Sequence, residues 1–393
     1  MTIRCLSIAV MYLMMTLNKS QPMAKVASGQ KPDHSAVPGV VIDHSPAKSD
    51  RYIGSPSIAV LPNGDYAASH DFFGPGTKYN RTCIFRSSDA GNTWKRLTDL
   101  QGQFWSTLFV HNGALYIIGT SCQYGQVVIR RSSDGGLTWT APKNKNIGLL
   151  IAEGQYHCAP VPVVVHTGRI WRAMEDRNPP EGWGKNFRSF VMSTPVDADL
   201  LKADNWTVSN RLRFDQAWPG IAWLEGNIVV TPGNKLVNIL RIQCDDAEIA
   251  GITHISEDGK SVSFDPEKDF IDFFGGSNKF TIRYDSVTER YWSLVNKQIN
   301  PKAYRNILAL VSSADLHNWK VESIVLSHPD SKKHAFQYVD WLFEGQDIIF
   351  VSRTAYDDGL GGARKAHDAN YLTFHRIRGS RCIKNLQMQM EID

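Results

Sequence analysis

Two stretches of the chain repeat the same turn. RSSDAGNTW, from Arg86 to Trp94, recurs as RSSDGGLTW, from Arg131 to Trp139. In both copies a β-rich run ends in Ser, Asp and Gly, which favour tight turns, and a Trp opens the next run. A repeated turn needs repeated surroundings, so the chain is predicted to fold from similar β units.

Short β-rich runs paired around turns continue from about residue 49 onward. SPSIAVLPNGDYAAS, FWSTLFVHNGALYIIGT and WLFEGQDIIFVSRTA each have the pattern of a hairpin with a Gly in its turn. Only residues 196–206, VDADLLKADNW, suggest a short helix. Many hairpins together with a repeated turn predict an all-β propeller of four-stranded antiparallel blades. A β-sandwich is the alternative, but it does not explain the repeated turn.

The first residues differ from the rest of the chain. Arg4 precedes an apolar run from Leu6 to Leu17, and a polar stretch with small residues follows. This pattern is typical of a signal peptide, and the apolar run is too short for a membrane span. We therefore predict a signal peptide at residues 1–24, a linker at 25–48 and a propeller domain at 49–393. The mature protein is expected to be secreted or periplasmic.

Charge and cysteine content exclude several classes of protein. The 43 Lys and Arg residues nearly balance the 39 Asp and Glu residues, and no basic run occurs, which argues against nucleic acid as a partner. The six cysteines show no C-x-x-C spacing, so no metal site is indicated. No phosphate-binding loop is present, and no cofactor is expected. Calcium held by loop oxygens stays open, since such ligands leave little trace in a sequence.

The repeated turn resembles a motif of a known family. Ser87-x-Asp89-x-Gly91-x-Thr93-Trp94 and its second copy match the Asp box, or BNR repeat, of the sialidase (neuraminidase) superfamily. ISEDGKSVSF and SSADLHNW are similar to weaker copies. The resemblance implies a divergent member with a six-bladed β-propeller. In that family the box stabilises a blade corner away from the active site, so it indicates architecture and not activity.

Three further segments are similar to sialidase active-site segments. WLEGNIVVTPGNKLVNILR corresponds to the one that pairs a catalytic glutamate with a substrate arginine, which implies Glu225 and Arg241. YRNILALVSSADLHNW places Arg305 where the family has another arginine. FQYVDWLFEGQDIIFVSR places Tyr338 at the position of the nucleophilic tyrosine. The resemblance covers about residues 49–378.

The chemistry of an acidic sugar explains these residue types. A carboxylate beside the anomeric carbon repels a carboxylate nucleophile, so a neutral phenol is the better attacking group. A free tyrosine has a pKa near 10, and a neighbouring glutamate must therefore take its proton. Sialidases are the known exception to the two-carboxylate scheme of glycosidases. Arginines suit the substrate carboxylate because a guanidinium binds two oxygens at once.

The sequence also departs from the family. The Arg-Ile-Pro position reads Gly54-Ser55-Pro56, so the first arginine of the carboxylate clamp is missing. Arg51 lies close by in the sequence and is the candidate to replace it. Asp71 is the candidate for the acid/base aspartate that sialidases place before the first Asp box.

Other polar residues suggest an alternative site. His157 and Glu175 each lie beside a strongly apolar run. A histidine is a suitable general base near neutral pH, and Glu175 is a candidate to bind the substrate. The expected function is a secreted exo-glycoside hydrolase that removes a terminal acidic sugar from a glycan with retention. The alternatives are a uronate-directed polysaccharide lyase that uses His157 and a tyrosine, and a glycan-binding propeller without catalysis.

Overall fold

The computed structural model describes residues 31–298 and 304–380. The predicted signal peptide, residues 1–24, lies outside these ranges. Within them, 28 strands form six antiparallel sheets, and the only helical segments are two short 3-10 turns, Ala47–Ser49 and Ala203–Asn205. No helix in the described part of the chain has the length and apolar character needed to cross a membrane. The predicted six-bladed β-propeller is confirmed.

The strands follow the blades in chain order, apart from β1 (Val40–His44), which joins the last blade. Blade 1 contains β2 (Tyr52–Ile53), β3 (Ser57–Val60), β4 (Tyr66–Phe73), β5 (Arg81–Ser87) and β6 (Lys95–Gln101). Blade 2 contains β7 (Phe104–His111), β8 (Ala114–Thr120), β9 (Val127–Ser132) and β10 (Leu149–Ile151). Blade 3 contains β11 (Tyr156–His157), β12 (Val164–His166), β13 (Arg169–Arg177), β14 (Phe187–Pro195), β15 (Thr207–Val208) and β16 (Leu212–Arg213).

The second half of the ring repeats this arrangement. Blade 4 contains β17 (Ala222–Val230), β18 (Leu236–Gln243), β19 (Ile249–Ile255), β20 (Val262–Ser263) and β21 (Phe270–Asp272). Blade 5 contains β22 (Thr281–Asp285), β23 (Arg290–Asn296), β24 (Ile307–Ser313) and β25 (Trp319–Ser327). Blade 6 contains β26 (Ala335–Glu344), β27 (Asp347–Ala355), β28 (Tyr371–Ile377) and β1.

The ring closes where the first strand of the chain completes the last blade. β1 pairs antiparallel with β28, with Val40 opposite Phe374 and His44 opposite Tyr371. This corrects the predicted linker at 25–48, of which residues 40–44 belong to the propeller. The local sequence is turn-rich, and only a partner more than 300 residues away in the chain makes it a strand.

The apolar core lies between the blades. Six buried clusters are each shared by two neighbouring blades, so every blade packs on both faces. Trp171 packs between blades 3 and 4, whereas Trp292 and Trp341 pack between blades 5 and 6. When a sheet is covered on both faces, its strands have nearly continuous apolar sequences, and the strands of this chain show that pattern.

The repeated turns have the same hydrogen bonds in both copies. Asp134 accepts hydrogen bonds from the Ser132 hydroxyl at 2.8 Å and from the Thr138 amide and hydroxyl at 3.0 and 2.6 Å, and Asp89 does the same in the first copy. The Trp139 indole donates to the Gly136 carbonyl at 2.9 Å. The motif therefore holds a corner at the outer part of a blade, away from the ring centre.

The two weaker copies differ from each other. In SSADLHNW, Leu316 adopts the left-handed conformation (φ 70°) and Trp319 donates to its carbonyl at 2.9 Å, so the turn keeps its form without the glycine. In ISEDGKSVSF, Ser256 donates to Asp258 at 2.7 Å, but no Trp follows. The helix predicted at residues 196–206 is wrong, because Leu200 and Trp206 are buried against blades 2 and 3 and only one 3-10 turn separates them.

Replacing Asp134 with Ala is expected to lower the unfolding temperature by about 2–4 °C at pH 7. Burial opposes ionisation, but the hydrogen bonds from Thr138 and Ser132 hold the pKa of Asp134 at about 2. A depressed pKa stabilises the fold above the ordinary pKa of Asp, and this contribution disappears as the pH falls through about 2. Calorimetry across this pH range should show the two proteins converging. Asp204→Ala, which removes only an exposed ion pair with Lys145, is the control.

Candidate active site

Three inner strands are bulged at the same height in the ring. The pairing register shifts between Phe104 and Thr107 in β7, between Leu224 and Asn227 in β17, and between Gln337 and Asp340 in β26. One non-glycine residue in each bulge has a left-handed backbone: Trp105 (φ 50°), Glu225 (φ 56°) and Tyr338 (φ 55°). A bulge re-aims a side chain, and all three of these side chains line one central pocket.

The pocket has a buried floor and an open mouth. Asp71, His157, Glu225, Tyr338 and Arg353 line it together, and all but the half-buried Tyr338 are buried. The mouth is lined by more exposed residues: Tyr79, Gln123, Trp183 and His367. Its volume is about 160 Å³, below the roughly 300 Å³ at which pockets for drug-sized ligands begin, and therefore on the scale of a single sugar ring.

Asp71 fills the space beside Gly54, the position at which the sequence comparison found the first arginine missing. Its Oδ1 accepts the Ser55 amide at 2.8 Å and its Oδ2 accepts the Trp105 amide at 2.7 Å. A Cβ atom added to Gly54 would lie 1.5 Å from Asp71 Oδ1, so a side chain at position 54 and this carboxyl group exclude each other. Burial raises the pKa of Asp71 more than these hydrogen bonds lower it, which favours its protonated form.

Glu225 has the opposite electrostatic environment. Burial alone would raise its pKa, but the charge of Arg241 holds that pKa below the ordinary value. Arg241 Nη1 donates to Glu225 Oε2 at 2.8 Å. In turn, Glu225 and Tyr338 keep the pKa of Arg241 above its usual value although burial lowers it. The floor therefore contains two carboxyl groups in opposite environments. The protonated form is favoured for Asp71 and the ionised form for Glu225.

Three arginines surround the ring of Tyr338. Arg241 interacts with its hydroxyl, and the guanidinium carbons of Arg305 and Arg353 lie 5.5 and 4.6 Å from the ring centre. Arg353 lines the pocket itself, whereas Arg241 and Arg305 lie behind Glu225 and Tyr338. Burial, together with the charge of Arg305, lowers the pKa of Arg353 to about 10, which leaves the side chain charged at neutral pH.

Arg353 is the residue that sequence reasoning missed. It ends the FVSR run of β27 and pairs across the blade with Gln337, the neighbour of Tyr338. If the hairpin register is counted outward from the Gly345 turn without a bulge, Arg353 lies opposite Tyr338. The register could therefore have predicted that Arg353 lies near Tyr338. The bulge in β26 then turns Tyr338 toward it.

His157 and Glu175 form a buried pair in blade 3. They are opposite each other in the β11–β13 ladder, and His157 Nδ1 lies 3.1 Å from Glu175 Oε2. The His157 ring stacks on Phe187 and contacts Trp105 edge-on, with centroids 4.7 and 4.4 Å apart. Because Glu175 occupies Nδ1, Nε2 is the ring nitrogen left for the pocket.

Two sequence expectations are not met by this geometry. Arg51, expected to replace the missing arginine, is exposed and lies over the Phe72 ring at 5.3 Å in a separate groove. Glu175, expected to bind substrate, is buried behind His157 and orients it. The other six predicted residues meet at the pocket or directly behind it. No group of three or more His, Cys, Asp or Glu side chains placed to hold a metal occurs among residues 31–298 and 304–380.

Comparison with known proteins gives similarity at the level of structure only. No family model and no curated protein matches the sequence. An α-L-arabinanase from Penicillium chrysogenum complexed with arabinobiose shares 16% identity and a TM-score of 0.53, over 86% of this chain and 97% of that one. A Hadza microbial sialidase shares 12% identity and a TM-score of 0.58, over 86% and 68%.

A third similar structure is the Trypanosoma rangeli sialidase in complex with sialic acid. It shares 14% identity and a TM-score of 0.55, and 86% of this chain covers about half, 56%, of that protein. The chain thus has the six-bladed propeller fold found in sialidases and in α-L-arabinanases, and the predicted likeness to sialidases is confirmed for the fold.

Replacing Gly54 with Ala is expected to destabilise the protein by roughly 1–3 kcal/mol, because the new methyl group overlaps the Asp71 carboxyl group. The same substitution in an Asp71→Ala background should cost less, since only the Asp71 carbonyl at 2.9 Å remains in the way. Urea unfolding of the four proteins gives the coupling between the two positions. Gly233→Ala is the control, because its nearest atom lies 3.9 Å away. If Gly54→Ala lowered the free energy of unfolding equally in the parent and in the Asp71→Ala variant, the steric exclusion between the two positions would be contradicted.

Proposed function

We propose that the protein is a retaining exo-glycoside hydrolase that removes a terminal acidic sugar from a glycan. The observation that carries the proposal is the meeting of Tyr338, Glu225 and Asp71 in one pocket among three arginines. Bulged, left-handed backbone at Glu225 and Tyr338 supports a chemical role, because such strain persists where function requires it.

The opposed environments of the two carboxyl groups assign their roles. Glu225, kept ionised by Arg241, takes the proton of the Tyr338 hydroxyl as the phenol oxygen attacks the anomeric carbon. Asp71, whose protonated form is favoured by burial, gives its proton to the glycosidic oxygen as that bond breaks. In the second half of the reaction Asp71 takes a proton from water, the hydroxide displaces Tyr338 from the sugar, and the phenol regains its proton from Glu225.

The charge balance of the pocket supports an acidic substrate. Arg241 is paired with Glu225, but Arg305 is hydrogen bonded to the neutral Asn278 and Gln337 side chains, and Arg353 to the His367 carbonyl. In the described part of the chain neither of these two arginines forms an ion pair with a carboxylate. Arg353 is buried and Arg305 half-buried, and cations withdrawn from water need a counter-charge, which a carboxylate on the substrate supplies.

The His157–Glu175 pair favours a second candidate, a uronate-directed lyase. With Glu175 on Nδ1, the Nε2 atom of His157 is placed to take the proton next to a uronate carboxylate, and elimination leaves an unsaturated sugar. Export of the protein to the outside or the periplasm is part of either proposal, since each places the enzyme with extracellular glycans.

Replacing Tyr338 with Phe is expected to lower kcat/KM by at least about a thousandfold, because it removes the nucleophile. The assay measures sugar release from sialosides, other keto-acid glycosides, uronate-capped oligosaccharides and neutral arabinosides. Tyr356→Phe, which leaves the pocket intact, is the matched control. Full activity of the Tyr338 variant would exclude the tyrosine mechanism, and a product that absorbs in the ultraviolet would identify the lyase. Binding without any turnover would identify a glycan-binding protein.

The rate should depend on pH through both carboxyl groups. Activity requires ionised Glu225, so it falls at low pH as the pH drops through the depressed pKa of Glu225. It also requires protonated Asp71, so it falls at high pH as the pH rises through the raised pKa of Asp71. The Asp71→Asn variant should lose about 10²–10⁴-fold in kcat/KM and lose the alkaline limb.

A glycosyl fluoride, whose leaving group needs no proton, tests the acid role directly. The Asp71→Asn variant should cleave the fluoride to the glycosyl-enzyme nearly as fast as the parent in a pre-steady-state burst. An equally large loss on the fluoride would show that Asp71 acts in some other way.

A further inference from the structure

Trp183 is a large aromatic residue left open to solvent at the pocket mouth. The residue is 45% exposed, although it lines the same pocket as Asp71, Glu225 and Tyr338. Its indole N–H has no hydrogen-bond partner among the described residues, whereas Trp94, Trp139 and Trp319 each donate to a carbonyl in their turns. Exposed aromatic surface beside a buried polar site marks a place where a ligand packs.

The loop that carries Trp183 is short and fixed. It connects β13 to β14, and Arg177 donates to the Gly182 carbonyl at 3.0 Å while the Asn186 side chain donates to the Glu181 carbonyl at 3.0 Å. The Asn178 and Phe187 amides close the loop with hydrogen bonds of 3.0 and 2.8 Å to carbonyls within it. These hydrogen bonds hold the backbone that carries the ring, so binding against Trp183 costs little additional ordering of the loop.

The position of the indole relative to the catalytic residues indicates what covers it. The guanidinium carbon of Arg241, the partner of Glu225, lies 5.9 Å from the Trp183 ring centre, and Phe187 packs edge-on at 6.0 Å. The floor below is formed by the buried groups that act on the terminal sugar. The sugar on the other side of the cleaved bond has to leave through the mouth, past Trp183.

We propose that Trp183 is the platform for the leaving-group sugar, so that the enzyme prefers oligosaccharides to simple glycosides of the same terminal sugar. This inference rests on the proposed hydrolase function. One face of a pyranose ring presents C–H groups that pack on an indole face, and the free indole N–H is available for a sugar hydroxyl. The site therefore selects for a second sugar ring next to the acidic terminal one.

The test compares two substrates that share the terminal sugar released fastest in the panel: a trisaccharide and the glycosyl fluoride, which has no leaving-group sugar. Trp183→Ala should lower kcat/KM for the trisaccharide about tenfold and leave the fluoride unchanged. Trp183→Phe should retain most of the activity on both. Tyr284→Ala, which removes an equally exposed aromatic ring on blade 5, is the matched control and should change neither.

Equal losses on both substrates would overturn the inference, because Trp183 would then hold the terminal sugar or the fold. No loss on either would overturn it as well. If the parent protein cleaves no substrate, the hydrolase proposal fails. A binding measurement with disaccharides then tests separately whether a sugar packs on Trp183. Titration with lactose, galacturonobiose and arabinobiose should then quench tryptophan fluorescence in the parent but not in Trp183→Phe. Absence of a difference with all three disaccharides would reject the platform.

Discussion

The pairing of β1 with β28 closes the ring, and the pocket depends on that closure. Asp71 belongs to blade 1 and Arg353 to blade 6, at opposite ends of the folded chain, and they line one pocket because the two blades are neighbours in the closed ring. Two further contacts hold this seam. Asp43 of β1 lies 2.9 Å from His70 of blade 1, and the Ser57 hydroxyl donates to Asp340 at 2.7 Å across the inner strands. Closure also buries the faces of blades 1 and 6 that an open array of blades would leave exposed, because these two blades share an apolar cluster.

The bulges turn a structural ring into a site. In a regular inner strand, alternate side chains point to the two neighbouring blades, and none is bound to converge on the centre. Left-handed backbone at Trp105, Glu225 and Tyr338 costs of order 1–3 kcal/mol per residue, and the surrounding blades hold each of them in place. Glycine would relieve this strain, yet each of the three positions has a large side chain that lines the pocket.

Local patterns predicted much of this molecule, and the pairing of distant segments explains what they missed. Hairpin turns and the repeated Ser-Asp-Gly-Trp turn depend on neighbouring residues, so the all-β blades were predictable. The order Glu225, Arg241, Arg305, Tyr338 was identified by resemblance, and the structure brings these residues together. The strand at 40–44 was not predictable, because its partner is the last strand of the chain. Arg353 was missed because its role follows from the register of a hairpin.

A side chain at position 54 and the Asp71 carboxyl group exclude each other, and this exclusion links the missing arginine to the charge of the pocket. An arginine at position 54 and the Asp71 carboxyl group cannot occupy the same space, so blade 1 supplies no arginine at this position. Arg353 adds one from blade 6, on the side of Tyr338. A substrate carboxylate bound to Arg353, which lines the pocket, would lie beside the tyrosine ring, where a neutral nucleophile tolerates it and an anionic one would not. The fold is common to proteins named for neutral and for acidic sugars, and so does not separate them. Within residues 31–298 and 304–380, Arg305 and Arg353 form no ion pair with a carboxylate, and this feature is the basis for proposing an acidic sugar.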